Sequence, residues 1–242
     1  MPLPVIETPK YETKIPSTGK RIQYRPYVVK EEKILMIALE SGDQKQIMQA
    51  VKDVISACTF DKIDPDLLSV FDLEFLFLRL RAKSVGEVSK VNLKCQKCQK
   101  PVTVDINLDQ VVVDTSDMPE AKIQLTDTIG VNMCWPRVDL IAELSVSEND
   151  PNKLAFEIII GCIESIFDDK REYPAKEHTK DELVRFVESL NQAQFIKLQK
   201  FVERMPKLEH TVKYHCVDCK TSQDFTIRGL QNFFSSPSLT TA

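Results

Sequence analysis

An α+β fold, mostly helical with small β-hairpins and a zinc-ribbon-like module formed by two distant CxxC knuckles, is what this sequence predicts. Three observations carry that reading. Apolar residues recur at three- and four-residue spacings over much of the chain, the period of amphipathic helices. Two CxxC pairs, Cys95/Cys98 and Cys216/Cys219, each sit in a turn between two stretches of alternating polar and apolar residues. The balance of 43% hydrophobic and 28% charged residues is that of a folded globular protein.

Residues 1–29 hold Pro2, Pro4, Pro9, Pro16 and Pro26, which disfavour helix and read as an extended arm. Within the arm Tyr11, Thr13 and Ile15, a turn at Pro16-Ser17-Thr18-Gly19, then Ile22 and Tyr24 spell a hairpin. The pattern suits a hairpin packed on its own domain and an arm laid on a partner equally. Residues 30–84 form an N-terminal helical layer. Its first helix carries Ile34, Leu35, Ile37 and Ala38 and stops at Ser41-Gly42, and its second starts near Asp43. A third, over 67–82, is announced by Asp64-Pro65 and is apolar nearly all round, so it must be buried on most sides. Four charges interrupt it. Asp72 and Arg79 share one face and Glu74 and Arg81 another, each pair meeting either water or a partner.

Residues 85–135 are a β region with the first zinc knuckle and a second hairpin around Thr128-Ile129-Gly130. Residues 136–208 read as a helical region, with Asp150-Pro151 opening one helix and the capping box from Thr179 to Glu182 another. Residues 209–234 supply the second knuckle and a short helix at 230–234, and 235–242 are a tail. The whole reads as one α+β unit with the helical middle packed between the other parts.

The chemistry lies in the cysteines. Two residues between cysteines let both sulfurs of a tight turn face one point, so two such turns supply a tetrahedral site of four thiolates, the ligand set of a structural zinc. The metal ligands expected are Cys95, Cys98, Cys216 and Cys219, holding one zinc per chain. Lys94, Lys97, Lys100, Lys213 and Lys220 flank them and suit the negative charge of such a centre. Against the reading stands the distance along the chain, for Cys98 and Cys216 are far more widely separated than the pairs of a compact zinc ribbon. Two unlinked thiol pairs, a redox pair and an iron–sulfur centre stay open as alternatives. His215 neighbours Cys216 but points the other way on an alternating strand. Cys58, Cys134 and Cys162 stand among apolar residues as buried thiols.

Much chemistry is absent from the sequence. Six scattered glycines cannot build GxGxxG or a Walker loop, and the three histidines form no HExxH. The carboxylates of Asp168-Asp169 and of 148–150 have no base or orienting partner, so no enzyme and no small-molecule substrate are expected. A net charge of -4 gives no strong pull toward nucleic acid or an anionic membrane. No apolar run is long enough to span a bilayer, and the opening Met1-Pro2-Leu3-Pro4 is unlike a secretory signal, so a reducing cytosol is expected.

The run from Ile15 to Lys20 (IPSTGK) and that from Tyr24 to Lys33 (YRPYVVKEEK) resemble the opening of the T4-type phage baseplate protein family. So do Phe71-Asp72-Leu73-Glu74-Phe75-Leu76-Phe77 and the run from Leu80 to Glu87 (LRAKSVGE). The likeness is good over residues 11–108 and follows the general layout beyond. It implies a structural or assembly component of the baseplate hub of a contractile-tailed bacteriophage, either hub subunit or hub assembly protein. Its partners would be other baseplate hub and tail proteins, and its location the virion tail baseplate or an assembly intermediate in the host cytoplasm. The resemblance brings no catalytic residues, and the zinc site rests on spacing alone. The alternative function is a zinc-ribbon nucleic-acid-binding protein, suggested by Lys90, Lys94, Lys97 and Lys100 beside one knuckle.

Overall fold

Gly19 closes the first hairpin. Its φ of 67° lies in the left-handed region where glycine pays no side-chain clash. Its N–H donates to the Ile15 carbonyl at 2.8 Å, and the Ile15 N–H donates to the Lys20 carbonyl at 2.9 Å. Strands β1 (Tyr11–Lys14) and β2 (Arg21–Tyr24) pair antiparallel around this turn. The computed structural model describes residues 6–147 and 150–229; the short helix expected at 230–234, the tail at 235–242 and the first five residues of the arm lie outside them. From residue 11 the arm is no arm but a hairpin packed on its own chain. Ile15, Ile22, Tyr24 and Tyr27 are buried. The Ser17 N–H donates to the Asp72 carboxylate and the Tyr27 N–H to the Ser84 hydroxyl, both at 2.9 Å, while the Arg25 N–H reaches the Cys58 carbonyl at 3.0 Å.

Helix α1 (Val29–Ser41) stops at Gly42, another left-handed residue. Helix α2 (Gln44–Cys58) opens on Asp43, whose carboxylate accepts from the Lys45 N–H. Helix α3 (Val70–Ser84) starts later than the sequence suggests. Pro65–Leu67 forms a 3-10 turn, after which Ser69 bridges Arg137, the Val70 N–H bonds the Pro136 carbonyl and the Val138 N–H bonds the Leu68 carbonyl. Backbone groups used in that bridge cannot also serve a helix. As its composition requires, α3 is buried nearly all round: Phe71, Leu73, Leu76, Leu78 and Leu80 are each at most 2% exposed.

Two of the charges of α3, Asp72 and Arg79, meet backbone groups of other elements of the chain. Asp72 is 1% exposed. The Arg79 guanidinium donates to the carbonyls of Asp109 and Val111, both at 2.8 Å, and more distantly to that of Leu108 and to the Asp109 carboxylate. Lys83 adds an ion pair to Asp109 at 2.6 Å.

Beyond α3 come β3 (Val88–Lys94), β4 (Pro101–Asn107) and the two-residue β5 (Val112–Val113). Then follow β6 (Lys122–Gln124), β7 (Gly130–Met133), α4 (Val138–Ser147), α5 (Pro151–Gly161), β8 (Ile163–Phe167), β9 (Glu172–Pro174), α6 (Lys180–Glu188) and α7 (Gln192–Glu203). Strands β10 (Leu208–His215) and β11 (Ser222–Arg228) complete the described chain.

Instead of one unit there are two. The first takes in the described residues up to Pro65, Phe71–Asp114, and the described residues from Lys207 onward; the second takes in Asp66–Val70 and Thr115–Pro206. In the second unit β6, β7, β8 and β9 form an antiparallel sheet in that order. Its core includes Val131, Met133, Ile159, Leu198 and Phe201, with Trp135 stacked on Phe201 at 4.3 Å between ring centroids. Gly130 is required there, because a Cβ would stand 2.2 Å from the Phe167 ring. The segment 136–208 is therefore not helical throughout. After Gly161 the burial alternates at Ile163, Glu164 and Ser165, which is a strand period hidden behind an apolar helix. With seven helices and eleven strands among the described residues, the fold is mixed α+β and not mostly helical.

Two stability predictions follow from the first unit. Arg79→Ala leaves the Asp109 and Val111 carbonyls without their donor and is expected to cost on the order of 3 kcal/mol in urea unfolding, with Arg79→Lys recovering only part because one ammonium cannot fork across both. Glu31 is 2% exposed and accepts from Arg25 at 2.9 Å and from the Val28 N–H at 2.8 Å. Burial opposes its charge, but those two donors outweigh it and hold the carboxyl below its ordinary value of 4.5. A carboxyl depressed by folding stabilises above its unfolded value, and that contribution is lost as pH falls through the folded value. Glu31→Gln should therefore lower stability at neutral pH and flatten its decline below about pH 5; melts at a series of pH values check both effects.

Candidate metal centre

Each CxxC turn is built by the hairpin that carries it. β3 and β4 pair from Val88↔Asn107 to Lys94↔Pro101, and β10 and β11 from Glu209↔Arg228 to His215↔Ser222. The first turn closes with the Cys95 N–H on the Lys100 carbonyl and the Gln99 N–H on the Cys95 carbonyl, both at 2.8 Å. The second repeats this with the Cys216 N–H on Thr221 at 3.0 Å and the Lys220 N–H on Cys216 at 2.8 Å. Gln99 and Lys220 occupy the same place in each turn and share a left-handed backbone, φ 59° and 53°. The two knuckles are the same device made twice.

The structure brings all four expected cysteines together. Their sulfurs lie within 4.8 Å of one another, with Cys95 to Cys219 and Cys98 to Cys216 each at 3.6 Å. A disulfide needs about 2.05 Å, so these are thiols or thiolates. A tetrahedron with metal–sulfur bonds of about 2.3 Å has edges of about 3.8 Å, which the two short separations approach. Cys95 and Cys216 are fully buried and Cys98 and Cys219 half-buried. Val102, Val104, Phe225 and Tyr214 pack against them.

Polar bonds pin the knuckles to each other. The Tyr214 hydroxyl donates to Gln223 at 2.7 Å, and the Gln96 N–H reaches both Gln223 and Tyr214. Lys97 donates to Thr221, and Lys100 pairs with Asp218. The donors in the turns favour negative sulfur. The N–H of Cys98, with that of Lys97, pulls Cys95 down to about 6. The Thr221 hydroxyl lowers Cys219 likewise. Cys98 receives a similar donor from Lys100, but burial and the neighbouring sulfurs outweigh it and push it up to about 12. Four sulfurs this close cannot all be thiolates without a cation among them, which a divalent metal of soft preference would supply.

The other cysteines stand apart. Burial pushes Cys58 up to about 11, and raises Cys134 and Cys162 as well. His215 faces Ser222 at 3.1 Å, away from the sulfurs. Sequence reasoning missed Tyr214, Gln223 and Gln96, because nothing in their spacing marks a side chain that links two hairpins distant in sequence. It also missed a cleft of about 890 Å³ in the second unit, where Glu157 pairs with Lys180 at 2.8 Å and Glu172 accepts from Asn132 and Ser165. No helix among the described residues is long and apolar enough to cross a membrane.

A two-unit α+β protein whose first unit is closed by a pair of cysteine knuckles is the class these observations define. The chain matches the family described as T4 bacteriophage base plate protein over residues 8–235, and belongs to it. It is 25% identical over 225 residues to the baseplate hub assembly protein gp26 of Enterobacteria phage T4, a match covering 93% of this chain and 97% of that one. No solved structure matches it significantly.

The geometry predicts a chemical cross-link. Mild oxidation in the presence of a chelator should join Cys95 to Cys219 and Cys98 to Cys216, whose sulfurs stand 3.6 Å apart across the two knuckles, read by mass spectrometry of peptides. Links confined to Cys95–Cys98 and Cys216–Cys219 would show that the knuckles do not meet.

Proposed function

We propose that the chain is an assembly or structural component of the baseplate hub of a contractile-tailed phage, working by protein–protein contact and stabilised by one structural zinc. Membership of the baseplate family carries the first part, and the end-to-end likeness to a hub assembly protein directs it to the hub. Its partners are other hub and tail proteins, and it acts in the host cytoplasm or in the finished baseplate.

The convergence of the four sulfurs carries the zinc. Cys95, Cys98, Cys216 and Cys219 would complete a tetrahedral thiolate shell, leaving no open position for substrate or water, so the metal would serve structure and not catalysis. Thiolate–zinc bonding in small folds is worth on the order of 10 kcal/mol, more than the net stability of most domains.

Protein purified without added metal should contain about one zinc per chain. Cys95→Ser and Cys216→Ser should lose it and unfold at markedly lower temperature, while Cys58→Ser keeps it. Removing the gene from its phage should leave capsids and unattached tail parts but no complete baseplates in electron micrographs of lysates. Normal tailed particles would overturn the assembly role, and metal-free protein of full stability would overturn the zinc.

A further inference from the structure

Helix α1 is held to its unit by a narrow stripe and bare elsewhere. Only Glu31, Leu35 and Ala38 of its residues are buried, Glu32 is half-buried, and the rest are exposed. Of the fifteen large hydrophobic side chains exposed among the described residues, seven fall between 28 and 48: Val28, Val29, Ile34, Met36, Ile37, Leu39 and Met48. Ile37 is 67% exposed and Ile34 44%. Val29 is 64% exposed, and such a concentration marks a contact surface.

The charges on the same helix say what covers it. Lys33 and Glu40 stand two turns apart on the outward side, flanked by Met36 and Ile37. The pattern is self-complementary when reversed. A two-fold axis between Met36 and Ile37 sets α1 antiparallel to its own copy. Lys33 then faces Glu40 of the second copy, and Met36 and Ile37 of both copies meet at the centre. Every one of these contacts occurs twice, as an isologous interface requires.

We propose that a second copy of this chain docks on α1, through an antiparallel α1–α1 contact with Lys33–Glu40 pairs on either side of a Met36–Ile37 centre. The apolar residues supply the affinity. The exposed ion pairs contribute little energy but fix direction and register. A helix of this length is about 20 Å long, and its pairing buries less than the roughly 1,600 Å² of a standard interface. The dimer is therefore weak, dissociating in the micromolar range. It does not depend on the metal reading, since no knuckle residue takes part.

Charge exchange tests it on the full-length protein with its metal. Sedimentation velocity from about 1 to about 200 µM should show a monomer–dimer equilibrium. Lys33→Glu and Glu40→Lys, each alone, set like charges face to face and should weaken the dimer at least tenfold, with melting temperature unchanged at these exposed positions. The double variant, Lys33→Glu with Glu40→Lys, restores opposite charges at both places and should dimerise like wild type. Ile37→Ser should be monomeric whatever the charges. A wild-type monomer across the whole range would overturn the proposal, as would a dimer indifferent to the single reversals. A double variant that stays monomeric would do so too, and would point to a different protein on this face.

Discussion

Four sulfurs that meet within 4.8 Å must be delivered by two hairpins 118 positions apart, and the first unit depends on how that is done. The answer is a pairing only two residues long. Val113 stands opposite Leu208 and Val112 opposite Glu209, so β5 joins β10 in the sheet that carries the second knuckle. After β5 the chain leaves the first unit and returns just before β10, so that, Asp66–Val70 apart, the second unit is inserted between neighbouring points of the first. Counted through that pairing, the path between the CxxC pairs is close to the roughly 15–20 residues of a compact zinc ribbon. Even without the shortcut, each doubling of a loop costs only about 0.6 kcal/mol. The long separation that argued against a shared site loses its force.

The pairing is itself positioned by α3. The 3-10 turn Leu108–Gln110 precedes β5, and Arg79 holds its carbonyls together with that of Val111. Leu108 and Val111 are fully buried, so these acceptors have no water to fall back on. Asp72, on the same helix, fixes the turn of the first hairpin. A central helix thus uses two of its charges to place a hairpin at one point and, through β5 and β10, a cysteine knuckle at another.

What the sequence could say about this follows from the range of each signal. Caps and turns are local, so Gly42, Asp43, the Thr179 box and both CxxC hairpins were legible, and the four cysteines were singled out together. The β5–β10 pairing has no pattern, because two residues show no period. Strands β8 and β9 were missed since the apolar residues before Gly161 carry a helical period straight into Ile163. The charges of α3 were misread for another reason. A charged residue in an apolar helix looks like a gap in the core, and only the structure shows that Arg79 and Asp72 meet backbone groups from other elements. The separation into two units was hidden by the same insertion that lengthens the path between the CxxC pairs.

The account joins a family, a fold and a proposed metal, whose ligands would be the four sulfurs at which the two knuckles of the first unit meet. X-ray absorption at the zinc edge, taken on protein purified without added metal, measures the ligand shell directly. Four sulfurs at about 2.3 Å and no nitrogen or oxygen neighbour are predicted. An absent zinc edge, or a shell containing histidine nitrogen or water oxygen, would contradict it.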